Sequence, residues 1–244
     1  MLGIIRSKRA WKWTACGKHP VAKDYFMMKT DDPLLKALAN WMENGYKSLG
    51  PKRDHSQGIY AWRFWAKGPK KESLVCGFVR DSSDFTGRPY PLLVMGAGYL
   101  KGWSAHWNLL PYACENVWNQ MDYLAARRFM DLGQLEDSVR IIQSPLSDWN
   151  DAAYAQSKTV VSLNYKKIEG KAAGFAKKAE CFIPLDSGTG NVIGESEKWH
   201  TALKAHTQNI PNAMFWGGAS GKLCLAVFNR KLTISDFGRL WSEL

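Results

Sequence analysis

Cysteine is sparse in this chain of 244 residues, and what there is falls in no useful pattern. Cys16, Cys76, Cys114, Cys181 and Cys224 are odd in number and contain no Cys-x-x-Cys, which argues against a disulfide framework and against a zinc ribbon. Cys76 and Cys224 lie inside apolar runs and read as buried free thiols. No stretch approaches the ~20 apolar residues that a membrane span needs. The opening Met1-Leu-Gly-Ile-Ile-Arg-Ser-Lys-Arg holds too short an apolar run for a secretory signal. A soluble cytoplasmic protein is the expectation. The five histidines form no His-x-His or His-Glu-x-x-His, and His200 and His206 would face different sides of a helix, so no metal site is predicted. Gly-x-Ser-x-Gly is absent, and Ser187-Gly-Thr-Gly190 lacks the Gly-Lys-Ser/Thr of a phosphate loop. No cofactor is expected.

Positive charge and tryptophan are plentiful instead. The net charge is +11, and basic residues gather at Arg6 to Lys12, Arg63 to Lys71 and Lys166 to Lys178. Such a surface attracts acidic partners or nucleic acid, or simply keeps the protein soluble. No recognition helix, RNP-like stretch or zinc finger accompanies it, which makes nucleic acid the weaker partner. Twelve tryptophans suit a thick aromatic core or a sticky face. Trp11 and Trp13, set among Arg6, Arg9 and Lys12, are open to either reading, including base stacking.

Asp32-Pro33 predicts a helix start, with Asp as N-cap and Pro in the first turn. Leu34, Leu38, Trp41, Met42 and Leu49 follow at helical spacing, and Gly45 and Gly50-Pro51 weaken and end the helix. Ile59 to Ala66, Ser73 to Arg80 and Pro91 to Gly98 predict three neighbouring strands. Ser104 to Met130 carries the stripe Trp107, Leu110, Cys114, Trp118, Met121 and Ala125, with Pro111 bending or restarting a helix. A short helix over Gln134 to Gln143 follows. Strands are then expected at Lys158 to Asn164, Glu180 to Leu185, Met214 to Trp216 and Leu223 to Phe228, with Gly217-Gly218 and Ser220-Gly221 in a hairpin loop. Helices are expected over Ser196 to His206 and Thr233 to Leu244, and Lys166 to Lys178 reads as an insertion. This is the pattern of an α/β chain, residues 1–244 forming one unit with helices packed on a mixed, mostly antiparallel sheet.

Two segments carry the chemistry. Gly17-Lys-His-Pro-Val-Ala-Lys-Asp-Tyr-Phe26 and Asp81-Ser-Ser-Asp-Phe-Thr-Gly-Arg-Pro-Tyr-Pro-Leu92 set charges beside Gly and Pro at the edge of apolar runs. Turns at a sheet rim present such side chains. Asp84 and Arg88, four residues apart across a Gly turn, can pair and fix the loop, or leave a charged pocket beside Asp24 open to a ligand. Lys18 and His19 beside Asp24 have the chemistry of acid–base groups, and a hydrolase built on Asp24, Asp84 and His19 is the least supported reading. Met214-Phe-Trp-Gly-Gly218 reads either as core or as a crevice beside Arg88 floored by Trp216.

These two segments, with Trp62-Arg63-Phe64 between them, resemble the paired motifs of the TagF (ImpM) family of bacterial type VI secretion-associated proteins. The resemblance covers mainly residues 15 to 98, with weaker similarity at Met214 to Gly218 and the final helix. Asp84, Gly87, Arg88, Tyr90, Pro91 and Leu92 stand in register, while His19 and Lys23 replace the more usual Leu and Gly. The resemblance implies a three-layer α/β/α arrangement and a non-enzymatic post-translational repressor. Its partner would be a protein of the secretion apparatus, such as one with a forkhead-associated domain. Lys18, His19, Asp24, Asp84, Arg88 and Trp216 are the candidate binding residues. A basic nucleic-acid- or small-ligand-binding module is the alternative.

Overall fold

In the three expected neighbouring strands, almost every residue is apolar, as required of strands covered on both faces. In the computed structural model they are β3 (Ala61–Lys67), β4 (Ser73–Arg80) and β5 (Leu92–Tyr99). The structure describes residues 10–50, 58–159, 164–186, 192–207, 209–219 and 221–242. Along β5, Leu92 and Val94 point to one core while Leu93 and Met95 point to the other, the period of two that a strand imposes.

The remaining strands are β1 (Lys12–Gly17), β2 (Phe26–Met27), β6 (Glu180–Pro184), β7 (Ala213–Ala219) and β8 (Lys222–Phe228). They complete one eight-stranded sheet in the order β2-β1-β5-β4-β3-β7-β8-β6. Every pairing among the described strands is antiparallel, in keeping with the expected mixed, mostly antiparallel sheet. β3 joins the two ends of the sequence by pairing with β7, from Ala61 opposite Gly218 to Ala66 opposite Ala213.

One face carries α1 (Pro33–Ser48) and α8 (Ile234–Ser242). Asp32 caps α1 by accepting from the amides of Leu34 (2.9 Å) and Leu35 (3.3 Å). Gly45 is the point of closest approach, since a Cβ there would stand 2.3 Å from Cβ of Phe237. The other face carries α2 (Leu110–Ala113), α3 (Glu115–Ala126), α4 (Leu132–Arg140), α5 (Trp149–Thr159), α6 (Asn164–Ala176) and α7 (Val192–His206). The sheet between these layers gives the three-layer α/β/α architecture. The predicted stripe from Trp107 to Ala125 is buried throughout, but it is divided into a 3-10 turn at Trp107–Leu109 followed by α2 and α3.

Three expectations require correction, and β1, β2 and α5 were not anticipated. The strand expected at Lys158 to Asn164 is replaced by the end of α5 and the start of α6, with 160–163 outside the described residues. The Lys166–Lys178 insertion is instead mostly α6, which buries Ile168 and Ala172 one turn apart. Gly217 and Gly218 lie within β7 rather than in its turn; a Cβ on Gly217 would stand 2.0 Å from the Ala61 carbonyl oxygen. Met1–Arg9, Pro51 and Ser187–Gly190 lie outside the described residues.

Candidate functional site

Gly17 ends β1 at a φ of +118°, and a Cβ there would stand 2.0 Å from the Pro91 carbonyl oxygen. Only glycine tolerates both the backbone conformation and the approach. The chain therefore brings the two motif segments into contact at their roots: Gly17 lies opposite Leu92 in the sheet.

Beyond that junction, Asp84 organises the loop from Asp81 to Tyr90. Its Oδ1 accepts from the Thr86 amide (3.0 Å), the Thr86 hydroxyl (2.7 Å) and the Arg88 amide (3.1 Å). Its Oδ2 accepts from Arg88 Nε (2.7 Å) and Lys18 Nζ (2.9 Å). Burial works to raise this carboxyl, but the Lys18, Thr86 and Arg88 donors outweigh it and hold it well below the usual carboxylate range. Asp24 completes the cluster, 3.1 Å from Arg88 Nη2 and 3.6 Å from Lys18 Nζ. The Tyr25 amide, with Arg88 and Lys18 beside it, lowers the Asp24 carboxyl. Arg88 Nη2 also donates to the Lys23 carbonyl (3.0 Å), and the Phe85 amide to the Ala22 carbonyl (2.9 Å), so the second segment is laced to the first.

Four of the six predicted residues thus meet: Lys18, Asp24, Asp84 and Arg88. Lys18 is only 11% exposed at its side chain and is used up in the lock, whereas Arg88 remains 54% exposed. His19 is buried beside the cluster. Its Nδ1 accepts from the Val21 amide (3.2 Å), its ring meets Phe129 edge-on at 5.6 Å, and it hydrogen-bonds the backbone at Leu124 and Arg127. Burial pushes its imidazolium down, which leaves a neutral ring tying the loop to the end of α3. Trp216 stands apart, in the core among Trp118 (4.5 Å between ring centroids) and His200 (5.5 Å), not beside Arg88. Trp11 and Trp13 stack on each other at 5.3 Å and lie over Gly98 and Gly96 of β5.

The residues not anticipated here are Thr86 and Phe85. An Asp followed two positions later by Thr is the signature of a side chain closing its own turn, so Thr86 was readable. Phe85 is 76% exposed at the tip of the loop. Tyr25 is exposed nearby, its ring 5.4 Å from Tyr90. On the adjoining end of α3, Arg127 lies over the rings of Tyr123 and Phe129, and Met130 is exposed. The hydrogen-bonded loop and the end of α3, tied through His19, thus expose aromatic, methionine and arginine side chains, the types enriched at the centres of protein interfaces.

Among the described residues no group of three or more His, Cys, Asp or Glu is placed to hold a metal ion. All five cysteines are buried, and burial pushes the Cys16 and Cys224 thiols up to about 12. No helix among the described residues is long and apolar enough to cross a membrane.

Residues 14–143, just over half of the chain, match the family described as the TagF N-terminal domain, type VI secretion system-associated. No curated protein matches the chain. Among solved structures, the crystal structure of PA0076 from Pseudomonas aeruginosa PAO1 is similar over 96% of this chain and 95% of its own, with a TM-score of 0.56 and 14% identity. At that identity the likeness is one of fold.

Proposed function

Because the chain belongs to the type VI secretion-associated family marked by the TagF N-terminal domain, we propose that it is a non-enzymatic, cytoplasmic repressor of that apparatus. It acts after translation as one TagF-like unit spanning residues 1–244. It binds an activating component, such as a forkhead-associated-domain protein, and so lowers the population able to assemble. The observation that carries this reading is the loop at Asp84, locked by Lys18 and Arg88 beneath an exposed Phe85. A side chain held out on a rigid loop loses little freedom on binding, which favours its use as an anchor. Lys23 and Arg127, both exposed on segments tied to this loop, add positive charge suited to an acidic partner.

The nucleic-acid alternative has less support. Trp11 and Trp13 are half-buried over β5 glycines, so they do not form an open stacking platform, and the net charge alone remains in its favour. Overproduction in the native host tests the regulatory reading. Type VI secretion should fall with transcript levels unchanged, and a component of the apparatus should co-purify. Unchanged secretion together with no such component would refute it.

A further inference from the structure

β1 and β5 carry the motif junction at one end and a second feature at the other. Gly17 pairs with Leu92 at the motif end, and Lys12 pairs with Ala97 at the opposite end. At the strand rise the two ends lie about 17 Å apart. Beside Lys12 opens a groove of about 650 Å³, bordered by Lys70 and Lys71 of the β3–β4 turn, by Asp32 and Leu34 at the start of α1, and by Tyr99 at the end of β5. That volume lies within the range of ligand pockets.

The lysines of this rim are uncompensated. Among the described residues, Lys12, Lys70 and Lys71 have no ion-pair partner, and all three are exposed. The acid next to them in sequence, Glu72, turns away. Its backbone adopts a φ of +62°, and its carboxylate accepts from the Gly102 amide (2.6 Å) and the Ser104 hydroxyl (3.4 Å). The turn itself is held by the Gly68 amide on the Ser73 carbonyl (2.9 Å) and the Ser73 amide on the Lys70 carbonyl (3.0 Å). The backbone carrying Lys70 and Lys71 is therefore fixed. Between the lysines the floor is apolar, with Leu34 half-buried and Tyr99 47% exposed.

We infer that this groove docks an extended acidic peptide segment of a partner protein, its carboxylates on Lys12, Lys70 and Lys71 and an apolar side chain between Leu34 and Tyr99. A compact phosphate is a poorer occupant. The amides of Leu34 and Leu35, which a phosphate at the start of α1 would need, are already taken by Asp32. A second copy of a chain of net charge +11 is poorer still. This inference does not depend on what the Asp84 loop binds.

Fluorescence anisotropy on the full chain tests it, with a labelled peptide of four Glu-Glu-Leu repeats as probe. Wild type should bind saturably. The triple variant Lys12→Glu, Lys70→Glu, Lys71→Glu should bind at least about tenfold more weakly. The matched variant Lys171→Glu, Lys177→Glu, Lys231→Glu, equal in charge and placed elsewhere, should bind like wild type. Tyr99→Ala should weaken the Glu-Glu-Leu probe but not a dodecaglutamate. Equal loss in both triple variants would mean general charge attraction and would overturn the docking site, as would unchanged binding in the groove variant. Preferential displacement of the probe by oligothymidine or by inorganic phosphate would overturn the choice of occupant. Circular dichroism confirms that each variant is folded before its affinity is read.

Discussion

Ser83-Asp84-Phe85 and Ser235-Asp236-Phe237 are the same three residues, each followed within a few positions by Gly and Arg, and the fold uses them in opposite ways. Both aspartates are fully buried at their side chains, and both serve their own turns. Asp236 accepts from the Thr233 amide (2.7 Å) and hydroxyl (3.0 Å) and takes a bidentate pair from Arg230 at 2.7 Å on each oxygen. Burial works to raise its carboxyl, and Arg230 and Thr233 more than reverse this. The phenylalanines part company. Phe237 stands in the first turn of a helix that lies on the sheet, is 0% exposed, and packs against Gly45 and Trp241. Phe85 tips a loop beyond the end of the sheet and is 76% exposed. An ion-locked turn is therefore ordinary architecture in this molecule. What distinguishes the first one, and supports its proposed use as a binding element, is the apolar side chain that the lock holds in solvent.

The comparison can be broken most severely at the buried member. Phe237→Ala should cost roughly 3–5 kcal/mol in urea unfolding, because it empties the contact between α1 and α8. Gly17→Ala should cost roughly 3 kcal/mol or more, combining a strained φ with a collision at the Pro91 carbonyl, and should disorder the Asp84 loop while sparing α8.

Acid should act on the two locks alike. Both carboxyls are depressed in the folded state, so each contributes stability above the unfolded value near 3.9 and loses it as pH falls through the lowered folded value. Asp84→Asn and Asp236→Asn should each be less stable than wild type at pH 7, and the gap should narrow once pH falls below about 4, closing only as pH passes the lowered folded values. A gap independent of pH would remove the electrostatic account. The smallest effect is expected at Phe85→Ala, within about 0.5 kcal/mol of wild type, as befits an exposed side chain with no packing role.

Much of this architecture was legible. Asp32-Pro33 announced α1, the apolar runs announced β3 to β5, and the Asp84–Arg88 spacing announced the lock. β1 was hidden because its stability comes from across the sheet, where Gly96 and Gly98 make room for Trp13 and Trp11. The β-branched residues after Lys158 suggested a strand, but the described residues on either side are helical, with Ile168 and Ala172 of α6 set against the core. The burial of Lys18 and His19 was equally illegible, since it depends on Gly17 folding the first segment under the second. Nor does sequence separate Phe85 from Phe237, because the distinction lies in what each element packs against.

Affinity capture from the native host, comparing wild type with Phe85→Ala, tests the central claim most directly. Wild type should retain a component of the type VI apparatus. Phe85→Ala, with an unchanged urea midpoint, should retain at least about tenfold less, as expected of a central interface anchor. Equal capture by the two proteins would contradict the assignment of the Asp84 loop as the binding face.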